Sequence, residues 1–180
     1  MPETVFRLRR IHACVVVLLA LLVVAPSATA RNAARTSALR SLQAGVLTDI
    51  NAFRRSHGLR PLRLSPALAA AARQHSTEMA ARGYFSHSSA DGSSFDRRIA
   101  RYYPPGHSRF WAVGENLLWS SPTVDAGGAL QMWKGSPPHR ENLLNATWRD
   151  IGLSAVHVLS APGAYGGHVV TIVTADFGVR

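Results

Sequence analysis

From Leu39 the apolar positions continue at Leu42, Val46, Ile50 and Phe53, in steps of three and four, with Arg40, Asp49, Arg54 and Arg55 falling elsewhere. That spacing draws one apolar stripe along a helix. Gly58, a residue tolerant of positive φ, is placed to end it. Residues 59–64 contain Pro61 and read as a short extended connection. Ser65-Pro66 then supplies an N-cap followed by proline at the first helical position. A second, alanine-rich helix is therefore predicted over 67–82, closing at Gly83. Residues 84–94 are loop-rich, 94–102 read as a short helix, and Pro104-Pro105-Gly106 breaks the chain. A third long helix is predicted over 124–134, with Gly135-Ser136-Pro137-Pro138 ending it.

The C-terminal part changes character. Residues 151–159 and 169–177 are rich in β-branched side chains and are separated by a turn region, 161–167, containing Pro, Gly and Tyr. They read as an antiparallel hairpin. Helices first and strands last argue α+β rather than a parallel α/β sheet.

Composition narrows the class. A chain of 180 residues makes one domain of ordinary size, and 47% hydrophobic against 17% charged residues excludes wholesale disorder. Cys14 is the only cysteine, which excludes a zinc finger, an iron–sulfur protein, a thiol enzyme and a disulfide scaffold. Arg7, Arg9 and Arg10 precede an uncharged apolar run, 13–25, and Ala28-Thr29-Ala30 follows it. That is the layout of a secretory signal peptide over residues 1–30. The run is well short of the roughly 20 residues that span a bilayer, so cleavage is favoured over a retained anchor. The chain left behind starts at Arg31, has no cysteine and works outside the cytoplasmic membrane. Residues 31–38 are small and polar, a mobile lead-in.

The net charge is +10 at pH 7. Basic surfaces attract nucleic acids, anionic lipid heads and acidic wall polymers. Here the arginines are scattered and no nucleic-acid motif accompanies them, so nucleic acid is not an expected partner. For an exported protein the polyanions within reach are envelope polymers and lipids. The charge is equally that of a solvated, arginine-rich surface with no partner.

Seven histidines follow residue 30. His57 reads as a helix-end cap, His107 as a surface loop residue, and His157 and His168 as strand positions. His87 and His139 differ: each lies just past a helix end, in Tyr84-Phe85-Ser86-His87 and Ser136-Pro137-Pro138-His139-Arg140. Between them lies Val113-Gly114-Glu115-Asn116-Leu117. Two histidines and a carboxylate suit zinc, with water in an open fourth position. No local metal motif joins the three, and separate structural roles stay open. His75 and Glu78 sit three apart on one helical face, as an outer shell to a site or as a local contact. No G-x-S-x-G elbow is present, so a serine α/β-hydrolase is unsupported.

Taken in order, several segments resemble the CAP superfamily, the secreted SCP-like domain of cysteine-rich secretory proteins, antigen-5 proteins and plant pathogenesis-related proteins, in its bacterial branch. They are Ile50-Asn51-Ala52-Phe53-Arg54-Arg55, Leu64-Ser65-Pro66-Ala67-Leu68, His75-Ser76-Thr77-Glu78-Met79-Ala80, Phe85-Ser86-His87, Asp91-Gly92-Ser93, Gly114-Glu115-Asn116-Leu117, and Trp133 with the run from Ser136 to Leu144. Ile151-Gly152-Leu153 and Asp176-Phe177-Gly178 complete the set, which places the domain over 43–180 and leaves 31–42 as a flexible lead-in.

The resemblance implies an α-β-α sandwich, a small antiparallel sheet between helical layers. It also implies a cleft carrying His87, Glu115 and His139, whose histidines bind Zn2+ or another divalent cation in many members. His75, Glu78, Asn116 and Ser136 would surround that cleft. One departure stands out: the second glutamate of animal members falls on Ser136, so a mechanism needing two glutamates is in doubt. Two functions follow as expectations. One is an extracellular module binding a lipid, a glycan or an envelope component. The other is a zinc-dependent extracellular hydrolase, with Glu115 as general base or hydrogen-bond partner to a metal-bound water.

Overall fold

The stripe from Leu39 to Phe53 lies on helix α1, but that helix spans Ala28–Ser56 and starts well before Leu39. The computed structural model describes residues 27–180, so most of the expected signal peptide, positions 1–26, lies outside the described residues. The run 31–42, expected as a flexible lead-in, is helical. It is rich in alanine and arginine and has neither glycine nor proline, so intrinsic propensity carries the helix outward from the packed part. Leu39 and Leu42 already touch the core.

Helix α2 (Pro66–Arg82) has the predicted limits. The Ser65 hydroxyl accepts from the Leu68 N–H, Pro66 opens the helix, and Gly83 closes it in the left-handed region at φ 72°. Helices α3 (Phe95–Ala100) and α4 (Ala126–Gly135) also lie close to their predicted places. Helix α5 (Pro137–Leu144) was not expected, because Pro137-Pro138 reads as a terminator. The prolines occupy the first turn instead, where a missing N–H costs nothing.

Four strands form one sheet in the order β1-β3-β4-β2: β1 (Arg63–Leu64), β2 (Ala112–Ser120), β3 (Asp150–Val158) and β4 (Val170–Val179). The predicted hairpin is β3–β4, with Asp150 opposite Gly178 and Val158 opposite Val170. Strand β2 pairs antiparallel to β4 along its whole length. The two-residue β1 runs parallel to β3, so the sheet is mixed rather than wholly antiparallel.

Helices cover both faces, which gives the α-β-α sandwich. On one side Val46 and Ile50 of α1, Leu130 and Trp133 of α4 and Leu143 of α5 pack against Leu118, Ile151, Leu153, Val173, Ala175 and Phe177. On the other, α2 and α3 meet the alternate positions Val113, Leu117, Val170 and Ile172 through Leu68, Met79 and Ile99. Gly152 lets α2 lie directly on β3: a Cβ there would overlap the Leu68 carbonyl carbon and the Ala69 nitrogen. Among the described residues no helix is long and apolar enough to cross a membrane.

Candidate functional site

Strand β2 is an outer strand of the sheet, and side chains from both helical layers converge on its free margin. Alternation sends Glu115 to the α2 face and Asn116 to the α5 face. Each becomes the anchor for one histidine.

On the α2 side, His75 is fully buried and its Nε2 donates to the Ser86 carbonyl at 2.8 Å. Burial is the main cause holding its pKa below the ordinary value, so the neutral imidazole is the resident form. The His87 carbonyl accepts from Arg98 Nη1 at 2.9 Å, and the same nitrogen reaches Ser89 Oγ at 3.2 Å. Both ends of the Ser86–His87 step are thereby pinned. Glu78 does not bond to His75. Tyr84 stands between them, its hydroxyl donating to Glu78 Oε2 at 3.0 Å and lying 3.5 Å from His75 Nδ1.

Glu115 takes the centre. Its Oε1 meets His87 Nδ1 at 2.8 Å, its Oε2 pairs with Arg98 Nη2, and its side chain has no exposed surface. Neither oxygen faces the cleft. Across the sheet Glu115 is in register with Asp176 of β4, also fully buried. Asp176 is pushed well above the usual carboxylate range, first by burial and then by the Glu115 charge.

His139 comes from the α5 side, on the first turn of that helix rather than in a loop after α4. Its carbonyl accepts from Asn116 Nδ2 at 3.0 Å, while Asn116 Oδ1 and the Glu115 carbonyl both accept from Asn142 Nδ2, at 2.9 and 3.1 Å. The His87 and His139 rings stand with centroids 6.5 Å apart. Burial, then the neighbouring His87, hold His139 below the ordinary histidine pKa. Ser136 lies at the head of α5 without a side-chain capping bond. It lines, with His139, a groove of about 260 Å³ walled by Phe85, Leu117, Trp119 and Met132.

The arrangement thus brings together His87, Glu115, His139, Asn116 and Ser136, with His75 behind and Glu78 held at one remove. Three contributors went unread in the sequence: Arg98, Asn142 and Asp176. Asp176 and Asn142 carried a signal, as parts of matched C-terminal segments, and Arg98 carried none. The donor set suits a metal in part. A carboxylate on Nδ1 orients a histidine to offer Nε2 to a cation, the usual outer-shell arrangement of metal-binding histidines. Glu115 does this for His87, and the His139 ring makes no hydrogen bond among the described residues. The described residues hold no group of three His, Cys, Asp or Glu side chains placed to grip a metal. Two nitrogens on one wall can supply two of the four zinc positions, the others falling to water or to a bound ligand.

Residues 47–173 match the CAP family, the cysteine-rich secretory protein family, and the chain belongs to it. Two curated relatives come from Bacillus subtilis. The uncharacterized membrane protein YlbC is 33% identical over 108 residues, covering 60% of this chain and 30% of its own. The uncharacterized protein YkwD is 31% identical over 136 residues, covering 73% of this chain and 50% of its own. The match therefore spans half or less of either relative. Among solved structures, an extracellular protein containing an SCP domain from Bacillus anthracis aligns with a TM-score of 0.57 at 28% identity, over 79% of this chain and 43% of that one.

Proposed function

We propose that this protein is an extracellular ligand-binding module whose cleft, between His87 and His139, recognises an amphiphilic component of the cell envelope, with a divalent cation able to join the contact. The observation that carries this reading is the state of Glu115: buried, with one oxygen held by His87 and the other by Arg98. A general base must reach the proton that it removes. Glu115 orients instead of reacting, which supports binding over a zinc-dependent hydrolysis in the same cleft. The groove beside His139 is mainly apolar, so the ligand it suits has a hydrocarbon or ring portion next to a polar head. The Bacillus anthracis relative is an extracellular protein, which supports placement outside the cell.

Calorimetric titration of Zn2+ near pH 7.5, beside His87→Ala and His139→Ala, tests the cation. Saturable binding lost in both variants is expected. Binding unchanged by either replacement removes the metal from the reading. A dansylated fatty acid tests the ligand class. Saturation weakened at least tenfold by Met132→Glu is expected, and no saturation by the wild type overturns the amphiphile assignment.

A further inference from the structure

The two margins of the sheet are finished differently. Along β2 two of the outward carbonyls are capped: Glu115 accepts from Asn142 Nδ2 at 3.1 Å and Leu117 from the Trp133 indole at 3.2 Å. The opposite margin belongs to β3, and β1 covers only its beginning. Arg63 and Leu64 pair with Asp150 and Ile151, and the Ser65 N–H donates to the Ile151 carbonyl at 2.8 Å. Successive residues of a strand aim their backbone groups at opposite margins. Leu153, Ala155 and His157 therefore turn theirs the same way as Ile151, and among the described residues nothing bonds to them on that side.

A margin with unpaired backbone groups is a template for another strand. Natural proteins blunt such margins, as Asn142 and Trp133 do for β2. Here the margin, with Leu153 and Ala155 only 3% and 7% exposed, lies at the floor of a groove of about 320 Å³ between Arg40 and Gln43 of α1 and Ala69 and Arg73 of α2. A second groove, of about 300 Å³, shares Leu39 with the first and continues the path past His157 to Arg35. Arg40 and Arg73 are exposed and form no ion pair with any described carboxylate.

We propose that this margin of β3 is a docking site for an extended, acidic peptide segment, added as a fifth strand beside residues 153–157. Backbone pairing supplies the affinity of such strand addition, and flanking side chains select the sequence. The unpaired N–H and C=O groups require a partner with a backbone of its own, which a lipid lacks. The two arginines select for carboxylates. The site lies on the sheet margin away from His87 and His139, so it stands or falls separately from the cleft.

The test is fluorescence anisotropy of the full-length chain with a labelled, end-capped peptide alternating Glu and Val, together with amide hydrogen exchange. Saturable binding is expected, with slowed exchange at Leu153, Ala155 and His157. Affinity should fall at least tenfold for a peptide N-methylated at alternate bonds, and likewise for Arg40→Glu/Arg73→Glu, whose exposed positions leave the fold intact. The proposal is overturned by equal binding of the N-methylated peptide or by protection confined to other segments. It is also overturned by phosphatidylglycerol vesicles binding through these arginines while the peptide does not.

Discussion

Glu115 and Asp176 stand directly opposite each other on β2 and β4, both buried, with a single buried guanidinium, that of Arg98, joined to Glu115. Asp176 finds no donor, and the side chain set against it is the Glu115 carboxylate. Two ionised carboxylates in such a place repel each other, and burial penalises both. Burial and the neighbouring Glu115 therefore both favour the protonated form of Asp176.

That assignment has a pH consequence. A carboxyl raised above its ordinary value of 3.8 favours the fold at low pH and loses that contribution as pH climbs through the folded value. Asp176→Asn keeps the shape without a titratable proton. The variant is expected to match the wild type near pH 3, below the ordinary value, and to be the more stable of the two near pH 8. Urea denaturation at both values measures this. A wild type that stays the more stable at pH 8 contradicts the assignment.

Arg98 holds the Glu115 charge and the His87 carbonyl together. Arg98→Met strands a buried carboxylate, an imbalance worth about 3–5 kcal/mol. In the double variant Arg98→Met/Glu115→Gln much of that loss should return, since no buried charge is left alone. A double-mutant cycle by thermal or urea unfolding reads the coupling; simple additivity of the two single losses would show that the pair acts independently.

His75 sets the acid side. Its pKa is depressed by burial, so the neutral form carries the fold at and above the ordinary value of 6.5, and stability drains as pH falls below it. Unfolding free energy is expected to drop by up to about 1.4 kcal/mol per pH unit between pH 6.5 and the lower folded value. His75→Gln should be less stable at pH 7.5 yet flatter towards acid. An unchanged acid slope in that variant assigns the sensitivity to another group.

At Gly152 the α2 backbone lies so close to the sheet that a Cβ would overlap it. Gly152→Ala has no low-cost rearrangement, because the obstructing atoms are backbone. A loss of about 4 kcal/mol or more is expected. Circular dichroism melting checks it, and a melting point within a few degrees of wild type would mean that α2 slides freely on β3.

What could be read from the sequence had local causes. Ser65, Pro66 and Gly83 bound α2 through interactions a few residues long, and the β-branched runs mark β3 and β4. Strand β2 escaped because both of its faces are covered, which erases alternation and admits Gly114, Glu115 and Asn116 in its centre. Helix α5 escaped because a proline pair can end one helix or begin the next. His87, Glu115 and His139 were reachable through family resemblance. Asn142 lay in the same matched run as His139 but with no role to read, and Arg98 lay in none, since their roles depend on pairings between segments far apart in the chain, with no periodicity to announce them.

The described chain contains no cysteine, yet distant segments are clipped together. Asn51 bonds both the N–H and the carbonyl of Leu62, at 2.7 and 3.0 Å. Arg54, buried, ties the carbonyls of Arg60, Leu143 and Asn145 at 2.8–3.0 Å. Asn116 and Asn142 do the same for α5 and β2. These are amide and guanidinium staples, made and broken with the fold itself. Their strength is indifferent to thiols, glutathione or oxidant, so the described domain assembles by noncovalent contacts and needs no oxidative folding machinery in whichever compartment receives it.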